Sequence, residues 1–331
     1  VSYYRPLVRH GEARPEGALH LVGGALWFTE VEILDRGAPP RVVPAGLLPE
    51  DLKLRLTGRR AAIAGLDMTQ QHIMGILNVT PDSFSDGGKH DTETAAIAAA
   101  QKMIADGASI IDIGGESTRP GAETVEELEE IARTAPVIAA LRDKSSVAIS
   151  LDTRKATVAM EGLEVGASLI NDVSGFTFDA ALAPLAAQAG VPVCIMHAQG
   201  DPATMQDEPS YDNVLLDVYD FLSAQVDQLE AIGILREQIM IDPGIGFGKT
   251  QAHNLTLLKN LSLFHGIGCP ILLGVSRKRF IGDIGQAPDA GARAPGSIAV
   301  GLAGLAQGVQ MLRVHDVAET AQALRLWKAL L

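Results

Sequence analysis

The stretch VAISLDTRKATVAMEGLEVGASLIND, residues 147–172, decides the fold. Val147–Leu151 is a short apolar run that stops at Asp152-Thr153-Arg154. Lys155–Glu164 has helical spacing, and Leu169–Ile170 is apolar again before Asn171-Asp172. A strand, a polar strand end, a helix and a second strand in about 26 residues form a βαβ unit, whose two strands must run parallel.

The same unit recurs outward in both directions. Strand-like runs are Ile73–Val79, Ser109–Ile113, Val147–Leu151, Leu169–Ile170, Val191–Ile195, Ile239–Ile241, Pro270–Val275 and Gln310–Val314. Helical stretches follow at Thr92–Ala105, Val125–Leu141, Lys155–Glu164, Asp179–Ala189, Tyr211–Ala231, Thr250–Leu261, Arg293–Ala306 and Ala318–Leu330. Eight strands each followed by a helix predict a closed (β/α)8 TIM barrel over residues 61–331. The structural alternative, an open doubly wound sheet, usually has fewer strands. Ala61–Gln71 would sit below the first strand as a hairpin closing the barrel floor.

Residues 1–60 read differently, as an N-terminal extension. His20–Ile33 alternates around Gly23-Gly24, which predicts a β-hairpin. Arg36–Pro49 is rich in Pro and Gly and reads as a loop, and Asp51–Leu56 as a short helix or strand. No chemical motif is visible here, so the extension is expected to be structural or an interaction arm.

Composition narrows the function. Apolar residues make up 47% of the 331 and aromatics only 4%, which suits buried parallel strands covered by helices. A net charge of −13 argues against a nucleic-acid partner, which needs a cationic face. The two cysteines, Cys194 and Cys269, have neither metal-ligand nor disulfide spacing, so a reduced cytoplasmic setting is expected. Every apolar run is interrupted well before membrane-spanning length.

Barrels of this kind put their chemistry at the carboxyl ends of the strands. The polar residues of this chain collect there: Asn78, Asp152, Asn171, His197, Asp242, Lys278, Arg313 and His315. A single Asp after a strand can be a helix cap. Capping does not account for Lys278, Arg313 and His315 on the same rim. Asp152, Asn171 and Asp242 offer acceptors and Lys278 offers donors, matching a flat heterocycle with N–H groups on one edge and a carbonyl. Arg313, His315 and Asn78 suit an anion or a metal-bound anion. The rim therefore predicts a heteroaromatic ring carrying phosphate. Pro243–Thr250 is Gly-rich but has Pro243 where a Walker motif needs its first Gly, so its glycines are expected to let a loop turn over the barrel mouth.

Eight segments together resemble the dihydropteroate synthase family. They are MGILNVTPDSFSDGG (Met74–Gly88), IDIGGESTRPGA (Ile111–Ala122), SLDTRK (Ser150–Lys155), INDVSG (Ile170–Gly175), MHAQGDP (Met196–Pro202), DPGIGFGK (Asp242–Lys249), GVSRKRFIG (Gly274–Gly282) and RVHDV (Arg313–Val317). The resemblance runs from about Ala61 to the C-terminus and implies a transferase of folate biosynthesis. That family joins a hydroxymethyl-dihydropterin diphosphate to p-aminobenzoate and releases pyrophosphate. It implies a pterin pocket of Asp152, Asn171, Met196, Asp242 and Lys278. Thr118, Arg313 and His315 would grip the diphosphate, with Asn78 a ligand of Mg2+. Phe84, Arg119, Pro120 and Phe247 would line the p-aminobenzoate site. Asp86 would stabilise positive charge on the pterin methylene, acting in catalysis with Asp152, Lys278 and Arg313. Arg279 stands where some relatives have a Ser that contacts the p-aminobenzoate carboxylate. The resemblance further implies a cytoplasmic homodimer meeting through its last helices, and inhibition by sulfonamides. Two other readings share a pterin pocket: a methyltransferase passing a methyl group from a folate to a corrinoid, and a paralogue that binds pterin without turnover.

Overall fold

The structure is a computed structural model that describes residues 1–80, 89–117, 124–200 and 208–331. The barrel strands are β6 (His72–Asn78), β7 (Ile110–Gly114), β8 (Ala148–Asp152), β9 (Leu169–Asp172), β10 (Val193–Met196), β11 (Ile239–Asp242), β12 (Leu272–Leu273) and β13 (Met311–Val314). All paired neighbours are parallel, in the order β11-β10-β9-β8-β7-β6-β13-β12. The ring closes through a single parallel bridge, Ile241 to Ile271, where the Ile241 N–H donates to the Pro270 carbonyl at 3.0 Å. β12 is shorter than the six residues expected from Pro270–Val275 because regular pairing holds on its β13 side only, over Leu272 and Leu273.

Each strand is followed by helix: α2 (Lys89–Asp106), α3 (Glu127–Lys144), α4 (Ala156–Glu164), α5 (Leu182–Ala189), α6 (Val214–Ala231), α7 (Gln251–Lys259), then α8 (Arg279–Gly285) with α9 (Ala294–Leu305), and α10 (Val317–Ala329). The short helix α8 was not expected from the sequence. It occupies the RKRFIG segment directly after Lys278.

The two-residue period of the strands sorts their side chains into two cores. Ile73, Leu77, Ile111, Ile149, Leu151, Ile170, Ile195, Ile241 and Leu312 face the helices in one cluster. Met74, Ile110, Leu169, Cys194, Met240, Leu272 and Met311 face the barrel axis in another, near the amino ends of the strands. Ile63 and Met68 complete this inner cluster. Ile63 and Leu66 exchange backbone hydrogen bonds at 3.0 and 2.8 Å, so the expected hairpin does plug the floor. Above the apolar layer the inward positions turn polar, starting with Asp112, Ser150 and Asn171, all buried. This change of polarity along the axis makes the carboxyl end of the barrel the candidate site.

The extension is more ordered than a hairpin and a loop. β1 (Ser2–Pro6), β4 (Glu30–Asp35) and β5 (Arg41–Pro44) form an antiparallel sheet in the order β1-β4-β5. The expected hairpin survives as β2 (Leu19–His20) against β3 (Trp27–Phe28). The segment around Asp51–Leu56 is helical, α1 (Glu50–Thr57). A strand, β5, stands inside the stretch read as loop. Leu21, Phe28, Val31 and Leu56 are fully buried in the extension's own cluster. Tyr3 joins the main core, and its hydroxyl donates to Asp220 on α6 at 2.8 Å. The Ser262 hydroxyl donates to the Pro6 carbonyl at 2.9 Å. The extension thus packs on the flank formed by α6 and the 3-10 segment Leu261–Ile267.

Candidate active site

β8, β9, β11 and β13 deliver Asp152, Asn171, Asp242 and Arg313 to one polar layer. Arg313 stands at its centre. Its Nε donates to Asp112 Oδ2 at 2.6 Å and its Nη2 to Asp152 Oδ2 at 2.8 Å. The Asn171 amide nitrogen lies 3.3 Å from both Asp112 oxygens. Arg313 is the more exposed of these partners, with 22% of its side chain accessible, against 0% for Asp112 and 8% for Asp152.

The sequence does not single out Asp112, because Ser109–Ile113 reads as apolar strand. The available signal was parity. Asp112 lies two residues before the strand-end Gly114 and two after Ile110, so it shares their inward face. A charge on the inward face of a buried parallel strand must be paired or functional.

Burial sets the ionisation of this layer. It raises the carboxyl of Asp152, with nearby Asp112 adding to the rise and Arg313 opposing it. It raises Asp242 as well, against the Gly244 N–H, which donates to Asp242 Oδ1 at 2.7 Å, and against Lys278. Burial lowers the Lys278 ammonium to about 8, with Asp242 opposing. Lys278 therefore changes protonation within reach of neutral pH, beside carboxyl groups that burial raises, which suits recognition of a ring with tautomeric N–H and carbonyl groups.

Lys278 is positioned by its neighbours on both sides. Arg277 before it adopts a left-handed backbone, φ +59°, unusual for a residue with a side chain. Several contacts hold that conformation: the Arg277 N–H donates to Ser297 Oγ at 2.9 Å, and its Nε donates to Asp316 at 3.0 Å. Arg293 Nη1 donates to the Arg277 carbonyl at 3.0 Å. Lys278 then caps α8, and its Nζ donates to the Ile245 carbonyl. That Nζ also lies 4.2 Å from the centre of the Phe247 ring. Strained backbone at a site is maintained only by such over-determination.

The Gly-rich loop behaves as expected. Gly244 has φ +70°, and a Cβ there would lie 1.8 Å from the His197 carbonyl oxygen. The loop is pinned by Lys249, whose Nζ donates to the carbonyls of His197 and Phe247 at 3.1 and 3.0 Å and pairs with His197 Nδ1 at 2.8 Å. Burial holds the Lys249 ammonium well below its usual range, and burial together with Lys249 lowers His197 to about 3. Met196 is buried beside Gly244.

The remaining rim residues fall nearby. His315 takes its orientation from Ser276: its N–H donates to Ser276 Oγ at 3.1 Å and its Nδ1 lies 2.9 Å from the same oxygen. Asn78 ends β6 opposite Gly114. Arg279 turns away, with 92% of its side chain exposed and its nearest ion-pair partner Asp283 at 3.6 Å. Phe84, Asp86, Thr118, Arg119 and Pro120 lie outside the described residues. The ends of the segment that holds Thr118–Pro120 are anchored by a buried network that the sequence did not suggest. Glu116 accepts from Arg154 Nε at 2.7 Å and from Lys155 Nζ at 2.5 Å, and Lys155 also reaches Glu130 at 2.6 Å and the Val125 carbonyl. Arg154 further donates to Thr124 Oγ1 at 3.1 Å.

Residues 74–315 match the family model described as pterin binding enzyme. The chain is 46% identical over 266 residues to the dihydropteroate synthase of Escherichia coli strain K12, which covers 80% of this chain and 94% of that protein. This chain belongs to the dihydropteroate synthase family. The solved synthase of Xanthomonas albilineans with 4-aminobenzoic acid superposes with a TM-score of 0.77 at 42% identity, covering 82% of this chain and 97% of the other. The Yersinia pestis synthase in a sulfonamide drug complex gives 0.76 at 45% identity, covering 80% and 96%. The synthase fold is thus the (β/α)8 barrel described above, and the family match begins within β6.

Proposed function

We infer that this chain is a dihydropteroate synthase, condensing a 6-hydroxymethyl-7,8-dihydropterin diphosphate with p-aminobenzoate to give 7,8-dihydropteroate and pyrophosphate. The observation that carries this reading is the cluster of Asp112, Asp152, Asn171, Asp242, Lys278 and Arg313 at one barrel mouth, in a chain 46% identical to an established synthase.

In this reading Asp152, Asn171 and Asp242 accept from the pterin N–H groups and Lys278 donates to its carbonyl, with Met196 against the ring. Asp112 belongs to the same pocket, since it is joined directly to Asn171 and Arg313. Two of the five N–H donors of Arg313 go to carboxylates, which leaves others for a diphosphate oxygen. His315, oriented by Ser276, would share that load. As the C–O bond to the diphosphate breaks, these cations neutralise the charge growing on the leaving group. The arylamine nitrogen forms the new C–N bond to the pterin methylene, which the ring and nearby carboxylates stabilise. Phe247, beside Lys278, would line the p-aminobenzoate site. Phe84, Arg119 and Pro120 are assigned to the same site, Thr118 to the diphosphate and Asp86 to the methylene, by family resemblance alone.

Mg2+ fits the donor set in one way. Among the described residues no group of three or more His, Cys, Asp or Glu side chains could hold a metal. Mg2+ is commonly held by one or two protein oxygens together with substrate phosphates. The Asn78 amide oxygen would be such a ligand, and the ion would add charge neutralisation at the diphosphate.

Exposed Leu326 on α10 and Leu330 just beyond it support a homodimer through the last helices. Free, buried Cys194 and Cys269 support a cytoplasmic setting. No described helix is long and apolar enough to cross a membrane. The deciding test is pyrophosphate release from the pterin diphosphate with Mg2+, with and without p-aminobenzoate. Release that depends on p-aminobenzoate is expected, and its absence from folded protein would sink the reading.

A further inference from the structure

A second cleft lies at the opposite end of the barrel from the strand-end site. It holds about 630 Å3 and is lined by Arg59, Arg60, Ala61, Leu235, Arg236, Glu237, Gly268 and Pro270. These residues lead into the floor hairpin and into the amino ends of β11 and β12, the seam where the ring closes by one bridge. We propose that this cleft binds a phosphate group, either the free ion or one carried by a small molecule.

The first ground is Arg60. It is only 9% exposed, yet no carboxylate lies within ion-pair distance of it among the described residues. Its Nη1 and Nη2 reach only the carbonyls of Gly58 and His265, at 3.3 and 3.1 Å. Its Nε is buried with no hydrogen-bond partner among the described residues. A buried guanidinium without an anion is costly, and one with a donor left over is costlier. Burial also lowers this guanidinium to about 10.

The second ground is the company Arg60 keeps. Arg59 is exposed and likewise makes no ion pair among the described residues. It is held over the extension by Gly23, where a Cβ would lie 2.3 Å from Arg59 Cγ. The third arginine, Arg236, is already matched by Asp227 and Glu230 at 2.6 and 2.5 Å. Glu237 is exposed and pairs with none of the three among the described residues. Arg60 therefore lines a concave surface with no carboxylate in ion-pair reach among the described residues, beside an exposed Arg59 whose charge also acts on Asp67. Guanidinium forks match tetrahedral oxyanions, and the volume falls in the range of small-molecule sites, roughly 300–1,000 Å3. Arg59 and Arg60 lie before residue 74, where the family match starts, while Leu235, Arg236, Glu237, Gly268 and Pro270 lie within it.

Isothermal titration of the full chain with inorganic phosphate, glucose 6-phosphate and citrate tests this, alongside Arg59→Glu and Arg60→Met. The quantity read is the binding that Arg59→Glu removes, since the strand-end anion group is intact in that variant. Arg59→Glu should weaken the cleft's phosphate binding by about tenfold or more and leave turnover unchanged. Tighter binding of glucose 6-phosphate would identify an organic phosphate, and equal or weaker binding the free ion; both outcomes support the phosphate class. Removal of citrate binding alone, or of no binding at all, would overturn it. Arg60→Met should abolish the cleft's binding and raise the melting temperature of phosphate-free protein by removing an unmatched buried charge. A lower melting temperature would mean that Arg60 serves only the two carbonyls, and the proposal would fall.

Discussion

The Arg313 guanidinium joins two carboxylates that come from different strands, Asp112 on β7 and Asp152 on β8, at 2.6 and 2.8 Å. One cation held between two buried carboxyl groups ties the polar layer together. Replacing Asp112 by Asn keeps the shape but removes half of this arrangement. Breaking one side of a buried pair costs about 3 kcal/mol. Asp112→Asn should therefore lower the urea midpoint by that equivalent and also weaken pterin binding. An unchanged midpoint would show that the pair contributes nothing to the fold.

Arg313 has a second assignment, to the diphosphate. Arg313→Ala should weaken binding of the pterin diphosphate more than that of the same pterin without phosphates. The difference should be about tenfold or more, since a charge-assisted hydrogen bond is lost only in the first case. Calorimetry with both ligands measures it. Equal weakening would assign Arg313 to the pterin carboxylate frame alone.

Lys278 carries the pH dependence. Its ammonium is lowered to about 8, so the charged donor to the pterin carbonyl is present below that pH and gives way to a weaker neutral amine above it. Pterin affinity should fall about tenfold per pH unit above 8, where an ordinary lysine would hold it constant to beyond 10. In Lys278→Arg, which cannot deprotonate, that alkaline fall should vanish even though overall affinity is lower. A fall that persists in Lys278→Arg would place the titrating group elsewhere.

The sequence made the strand ends legible because parallel strands buried on both faces tolerate polar side chains only where the barrel opens. Asp152, Asn171, Asp242, Lys278 and Arg313 stand out for that reason. Asp112 did not, because it lies one turn of the pleat deeper, where surrounding isoleucines mask it. The Glu116–Lys155–Glu130 network was hidden for another reason: Lys155 is 39 and 25 residues from its two partners and meets them only after the barrel closes. The short helix α8 begins at Arg279 and ends at Gly285, too few residues to show a helical period. β5 was hidden by prolines on either side, since its strand character comes from pairing with β4.

Gly244 tests the Gly-rich loop directly. Gly244→Ala places a methyl group 1.8 Å from the His197 carbonyl and holds an L-residue at φ +70°. The loop must then lift off the mouth, carrying the Gly244 N–H away from Asp242 and the Ile245 carbonyl away from Lys278. The variant should remain folded by circular dichroism and lose pterin affinity by about a hundredfold, the equivalent of two lost charge-assisted hydrogen bonds at roughly 1.5 kcal/mol each. Near-unchanged affinity would mean that the loop's close approach is dispensable.

Deleting residues 1–60 separates stability from catalysis. The extension gives the barrel Tyr3, which is 4% exposed in the main core, and the Arg36 ion pairs to Asp217 and Asp220 at 2.7 Å each. It also covers Ser262, whose hydroxyl bonds the Pro6 carbonyl. All of these contacts lie on α6 and on the 3-10 segment Leu261–Ile267; none involves Asp112, Asp152, Lys278 or Arg313. Truncation should lower the melting temperature, on the order of 5–10 °C for a loss of a few kcal/mol in a chain this size. It should leave the rate of pyrophosphate release within an order of magnitude of the full chain, measured well below the new melting temperature. A collapse of that rate while the far-ultraviolet dichroism still reports a folded barrel would give the extension a part in the chemistry.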